Sequence, residues 1–230
     1  EGHYNMMIGA ADMGTGCDTT LAQIAADCLD CDVDDIVVYG VDTDISPYDS
    51  GSYASSTAYV TGNATIKACT ELRQKICAIG ARLLEVEADA VDFDGKYVFV
   101  KGEEEKKVTL KDISTKNMCG CELTLEASAS HTSPKSPPPF MASMAEVEVD
   151  TETGEIKLVD FVSCVDCGTP INPALVKIQV EGGVAQGIGM ALYEDVTYTV
   201  KGMIAENSLM QYKIPSRVDL PTFRTEIAKG

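Results

Sequence analysis

The chain has 230 residues, 45% of them hydrophobic, with a formal net charge of -18 and a pI near 4.3. That length and apolar content can bury a core as one large domain or two lobes and exclude a disordered chain. The charge excludes a sequence-independent nucleic-acid binder, whose affinity rests on Lys and Arg, and an acidic membrane surface would repel it. No apolar run reaches the roughly 18 to 20 residues that span a bilayer. Glu1-Gly2-His3-Tyr4 carries no leader pattern and reads as the middle of something longer.

In chain order, Asp12-Met13-Gly14-Thr15-Gly16 forms a glycine loop ahead of Asp18-Thr19-Thr20, whose side chains are expected to cap a helix. That helix carries the apolar stripe Leu21, Ile24, Ala25, Cys28 and Leu29. Asp34-Asp35 leads into β-prone Ile36-Val37-Val38-Tyr39. The polar stretch from Asp42 to Thr57 is long for a plain connection, and long ordered loops are often functional. The spacing of Val60, Ala64, Ala68, Leu72, Ile76, Ile79 and Leu83 predicts a helix from about Tyr59 to Leu84, with Gly62 as a close-packing site rather than a break. From Val91 the pattern turns to strands, with Asp94-Gly95 as a hairpin signal before Tyr97-Val98-Phe99-Val100. The charged run Glu103 to Lys107 reads as a solvated turn.

Pro134 to Phe140 is biased to extended backbone and separates the halves. Beyond it, MAEVEVD and IKLVDFVSCVD flank a hairpin turn at Thr151 to Glu155, Asn172-Pro173 marks a turn, and a helix from about Pro173 carries QVEGGVAQGIGMALYE. Strands followed by helices thus occur twice, with no linker long or polar enough for independent domains. The expected class is α+β, with one repeat over residues 1–133 and a second over 134–230.

Nine cysteines, an odd number, fit a reduced cytoplasmic protein better than a disulfide framework. Cys28 with Cys31 and Cys164 with Cys167 have C-x-x-C spacing, but a zinc site would require the pairs to meet, and Cys28 lies on an apolar stripe where a thiol behaves as a small hydrophobe. No metal ligands are assigned. Gly182, Gly183, Gly187 and Gly189 follow Asn-Pro and several apolar residues instead of a buried strand, which argues against a dinucleotide fingerprint and places them in or beside a helix. No Gly-Lys-Ser/Thr or HExxH is present, and His131 sits outside any nucleophile elbow, as a surface or strand-end residue. What remains are loops of small polar residues, Gly14-Thr15-Gly16, Ala54-Ser55-Ser56 and Gln179-Val-Glu-Gly, whose N–H groups, hydroxyls and amide can bind phosphate or a polar heterocycle without cations, though ordinary turns and caps use the same residues.

The segments DMGTGCDTTLAQIAADCL, DTDISPYDSGSYASSTAYVTGNA, EVEVDTETGEIKLVDFVSCVDCGTPINPALVKIQVEGGVAQGIGMALYEDVTY and MQYKIPSRVDLP resemble, in order and over nearly the whole chain, the C-terminal molybdenum-binding half of the xanthine dehydrogenase and aldehyde oxidase family of molybdenum hydroxylases. The resemblance implies one lobe of the molybdenum cofactor-binding fold, built from two β/α repeats with mixed sheets packed against helices. It implies molybdenum held by molybdopterin, either simple or as the cytosine dinucleotide, buried against a preceding half, with iron–sulfur clusters and FAD on partner domains or subunits. Met13, Gly14 and Thr15 match the family's cofactor loop, where other members often have glutamine in place of Thr15. Ala54, Ser55 and Ser56 match the loop that meets the phosphate and pterin region, and Gln179 matches the glutamine that hydrogen-bonds the pterin. The implied chemistry is hydroxylation of an electron-poor carbon in a purine or other heterocycle with oxygen from water, xanthine first and nicotinate next. The family's catalytic glutamate is expected beyond Gly230, and Glu226 is no substitute, so no catalytic residue is assigned and the chain alone is expected to be inactive. The other reading is a non-catalytic structural lobe of a larger oxidoreductase complex.

Overall fold

The computed structural model describes residues 3–118, 125–135 and 137–228; Cys119 and Cys121 lie outside them. The chain divides into two compact units, Glu1–Ser136 and Pro137–Gly230.

In the first unit, β1 (Tyr4–Met7) pairs in parallel with β2 (Ile36–Tyr39), Tyr4 opposite Ile36. Parallel strands need a crossover, and α1 (Cys17–Leu29) supplies it. Its stripe of Leu21, Ile24, Ala25 and Leu29 is buried, while Cys28 is half-buried. The expected cap differs: Gly16 is the N-cap in left-handed conformation with no side-chain cap, and Thr20 Oγ1 donates back to the Gly16 carbonyl. Asp18 and Thr19 do not cap, because the upstream Asp12 already takes the N–H groups of this turn.

The long helix α2 (Thr57–Leu84) packs on α1. Its buried residues are Gly62, Thr65, Cys69, Ile76, Ile79, Gly80, Ala81 and Leu84; Ile76 and Ile79 are buried as expected, but in the first half the buried face is turned away from Val60, Ala64 and Ala68, because α1 and a sheet approach the helix from different sides. A Cβ on Gly62 would lie 3.0 Å from Ile24 Cδ1, which makes it the close-packing site expected. The sheet is an antiparallel meander of β3 (Val91–Phe93), β4 (Tyr97–Val100) and β5 (Glu103–Thr109). Gly95 turns the first hairpin with φ +87. Val91, Phe93, Val98 and Val100 join Ile76, Ile79 and Leu84 in one core, to which α3 (Leu110–Met118) adds Ile113. The Glu103–Lys107 run is solvent-exposed as expected, yet it is strand and not turn: Lys107 pairs with Phe99, and the reversal falls at Gly102.

The second unit is built on a long hairpin, β6 (Phe140–Val149) antiparallel to β7 (Ile156–Asp166), turning at residues 150–155. The Asp150 carboxylate accepts from Glu152 N and Thr153 N and so shapes that turn. A short β8 (Arg224–Ile227) adds to β7 in parallel. The helix α4 (Pro173–Leu192) starts as its sequence demands, with Pro173 at the first helical position and Asn172 Oδ1 accepting from Leu175 N at 3.1 Å. Its Val184 and Ile188 are buried, as are Ser163 and Val165 of β7 and Thr225 of β8. No helix of the described residues is long and apolar enough to cross a membrane.

Candidate functional site

Two loops leave the C-terminal end of the parallel β1–β2 pair, which is where open α/β sheets place ligands. In the first, the Asp12 carboxylate accepts from Gly14 N at 2.9 Å and Gly16 N at 3.1 Å through Oδ1, and from Asp18 N at 3.4 Å through Oδ2. Burial alone would raise the Asp12 carboxyl, but the N–H bonds of this turn hold it below its ordinary value. Gly14 has φ +97 and Gly16 φ +72, conformations that glycine adopts without strain. The fold of the loop leaves Met13 69% exposed and Gly14 facing open space. The Thr15 hydroxyl, by contrast, is buried, with the Cys17 thiol beside it.

The second loop runs from residue 40 to 56 into α2. It closely approaches the first loop, where a Cβ on Gly9 would overlap the Pro47 carbonyl, and the first turn of α1, where one on Gly40 would lie 3.2 Å from Asp18 Oδ2. At its end, Ala54 (φ 53) and Ser55 (φ 55) both lie in the left-handed region, unusual for non-glycine residues in succession. Ser56, the N-cap of α2, makes no side-chain cap bond, so the positive end of a 28-residue helix faces this strained pair uncapped by any side chain.

Gln179 belongs to the second unit, exposed on α4. With Val180, Gly183 and Gly187 it borders an apolar cavity of about 650 Å³, whose other wall is Met141, Ala145 and Phe161 of the hairpin. All four glycines singled out in the sequence lie within α4, in line with the expectation, from their place after Asn172-Pro173, of a position in or beside a helix. Their roles differ: Gly182, Gly183 and Gly187 face open space, whereas a Cβ on Gly189 would overlap the Glu194 carboxylate and sit 3.1 Å from Pro215 Cδ.

Sequence reasoning missed Asp12, Gly9 and Gly40, although an Asp two residues before a glycine loop is a recognisable turn-maker. His131 is half-buried with Nδ1 unpartnered, on an extended segment that α2 holds through Lys75 Nζ to the Glu126 carbonyl and Lys67 Nζ to the Ser130 carbonyl. Among the described residues, Asp12, Cys17 and Asp18 are the one group bringing three metal-ligating atoms together, and the C-x-x-C pairs do not join such a group.

The chain matches the family model of the molybdopterin cofactor-binding domain over residues 1–221. It is 37% identical over 224 residues to the probable hypoxanthine oxidase XdhD of Escherichia coli K12, covering 96% of this chain and 23% of that protein. It is 33% identical to the carbon monoxide dehydrogenase large chain of Hydrogenophaga pseudoflava, covering 95% and 28%. Among solved structures, it superposes with a TM-score of 0.85 on carbon monoxide dehydrogenase from Oligotropha carboxidovorans, at 31% identity and 95% and 28% coverage. Quinoline 2-oxidoreductase from Pseudomonas putida 86 gives the same TM-score at 32% identity, with 96% and 29% coverage. The chain thus spans under a third of the length of these relatives, and within that span it belongs to the molybdopterin cofactor-binding domain family of the molybdenum hydroxylases.

Proposed function

We propose that this chain is the molybdopterin-holding part of a larger molybdenum hydroxylase that acts on a purine or another nitrogen heterocycle. The observation that carries the reading is Ala54–Ser55, two non-glycine residues held left-handed at the uncapped N-terminus of α2. Such strain clusters at ligand clamps, and N–H groups there, aided by the helix dipole, suit a phosphate without Lys or Arg. The clear glycine face beside Gln179 leaves room for a planar group rich in hydrogen-bonding atoms. In this reading Met13, Gly14 and Thr15 line one side of the cofactor. Ala54, Ser55 and Ser56 bind its phosphate end, whether simple molybdopterin or the cytosine dinucleotide, and Gln179 hydrogen-bonds the pterin.

The bound cofactor would supply transfer of water-derived oxygen to carbon. The residues of this chain orient it and satisfy its polar atoms, and none of them is assigned as the base. The 37% identity to a protein named as a hypoxanthine oxidase supports a purine, and relatives named nicotine 6-hydroxylase and quinoline 2-oxidoreductase support heterocycles in general. Relatives named as large chains and subunits support partner subunits, to which this reading assigns the iron–sulfur clusters and FAD, and the free cysteines fit a cytoplasmic location. The test is molybdenum and pterin content of the complete enzyme with Gln179→Ala. Occupancy should fall several-fold; unchanged occupancy overturns the assignment of Gln179, and a complete complex without molybdenum supports the structural lobe instead.

A further inference from the structure

We propose that Asp12 is a positioning residue for the cofactor: its carboxylate fills the N–H nest at the N-terminal end of α1 as a built-in anion, which sets the Met13–Thr15 loop and keeps the cofactor's phosphate away from that helix. The proposal rests on the reading above that this loop meets molybdopterin. Little else holds the loop. Gly14 and Gly16 are left-handed, and glycine gives up more backbone freedom than any other residue when it is fixed. A Cβ on Gly14 would meet nothing within 4 Å and Met13 is exposed, so neither packs the turn in place. What fixes it is the convergence of three N–H groups, of Gly14, Gly16 and Asp18, on one carboxylate. Oδ1 takes the two glycines and Oδ2 takes Asp18, so one side chain clamps the loop to the first turn of α1. N–H groups turned inward at the start of a helix form a concave donor surface suited to an anion. Here the anion is part of the chain.

The two main helices of the first unit differ in consequence. At the start of α1, Asp18 adds a second carboxylate, and an oxygen of each acid lies with Cys17 Sγ in a group whose atoms are all within 4.8 Å of one another. A phosphate there would have to displace one carboxylate and sit against another. The first turn of α2 holds no acidic residue, and its N-cap Ser56 makes no side-chain cap bond. Asp12 thus does two things at once: it leaves Met13 outward, where a bound cofactor can reach it, and it directs the phosphate to the Ala54–Ser56 end.

The experiment follows molybdenum and pterin lost from the complete enzyme during dialysis, for wild type, Asp12→Ala and Asp12→Asn, in sodium chloride and in sodium formate of equal ionic strength. In chloride, Asp12→Ala should lose both at least about fivefold faster than wild type, because three charge-assisted bonds are gone and affinity changes appear mainly in dissociation. Formate supplies a free carboxylate for the vacated nest and should remove most of that difference, while wild type does not respond to it. Asp12→Asn should fall between the two, since its carbonyl keeps the glycine bonds and its amide nitrogen cannot accept from Asp18 N. Loss of cofactor from Asp12→Ala at the wild-type rate overturns the proposal, and so does faster loss that formate leaves unchanged, because Asp12 would then serve only the stability of the fold. Should Asp12→Ala yield no assembled enzyme, Asp12→Asn decides alone, and a wild-type rate overturns the proposal. A wild-type enzyme without molybdenum sinks the cofactor reading and this proposal with it; a wild type that keeps its molybdenum, beside variants that keep it equally well, sinks only the role of Asp12.

Discussion

Arg73 illustrates how single side chains hold this fold. From α2 it reaches the Cys28 carbonyl at 3.4 Å in the last turn of α1 and Asp30 at 3.3 Å just past it, and Asp92 at 3.1 Å and the Phe93 carbonyl in β3, with its guanidinium 5.7 Å from the Phe93 ring centre. Arg73→Ala strands several half-buried acceptors and should lower stability by about 2 to 3 kcal/mol in urea unfolding; Arg73→Lys should restore little, since lysine lacks the fork. Asp12 sets a pH dependence. Its folded carboxyl lies below the unfolded value near 3.9, so its stabilisation is fully present above that value and is lost as pH falls through the lower folded one. Asp12→Asn should flatten the acid limb of thermal stability below about pH 5, and an unchanged limb would deny it that role. Burial, then neighbouring acid and thiol charges, pushes the Cys31 thiol up to about 11 and Cys69 up to about 12, which keeps both protonated and unreactive in the metal-free chain. At pH 8 Cys69 should resist iodoacetamide in the native chain while exposed Cys164 reacts. The glycine turn at Gly14 and Gly16 is legible because glycine loops are visible as text; the role of Asp12 is not, because it is a set of bonds to N–H groups that every residue carries.

Among the elements, α4 shows what helix glycines are for. Gly182→Ala meets nothing within 4 Å and should stabilise the chain by about 0.5 to 1 kcal/mol through lost unfolded-state freedom. Gly189→Ala must displace the Glu194 carboxylate from Tyr212 and crowd Pro215, and should cost about 1 kcal/mol or more. Chemical denaturation of the two variants checks the contrast, and equal effects would mean that Gly189 is not a seat. The helix itself was readable from Asn172-Pro173, but which glycine packs depends on residues five and twenty-six positions away. The same limit explains β5. A run of like and unlike charges carries no strand signal, yet the backbone of Glu103 to Thr109 finds a partner in β4, and pairing outweighs side-chain preference.

At the scale of the molecule, the chain spans under a third of the length of its relatives, and in the proposed reading the rest of the cofactor's surroundings belong to further polypeptide. The purified 230 residues should therefore bind little molybdenum and hydroxylate nothing; near-stoichiometric metal together with turnover of hypoxanthine would refute this. By itself the sequence determined α1, β2, α2, both hairpins and the start of α4, because apolar period, turn glycines and an Asn-Pro cap act between near neighbours. Only the tertiary structure decided which face of α2 is buried, since that depends on α1 and β4 arriving from different sides. It alone revealed the left-handed Ala54–Ser55, because no glycine announces that strain and only surrounding packing can impose it. It also gathered the loops after β1 and β2 at one sheet end, a consequence of parallel pairing between strands that local sequence cannot register.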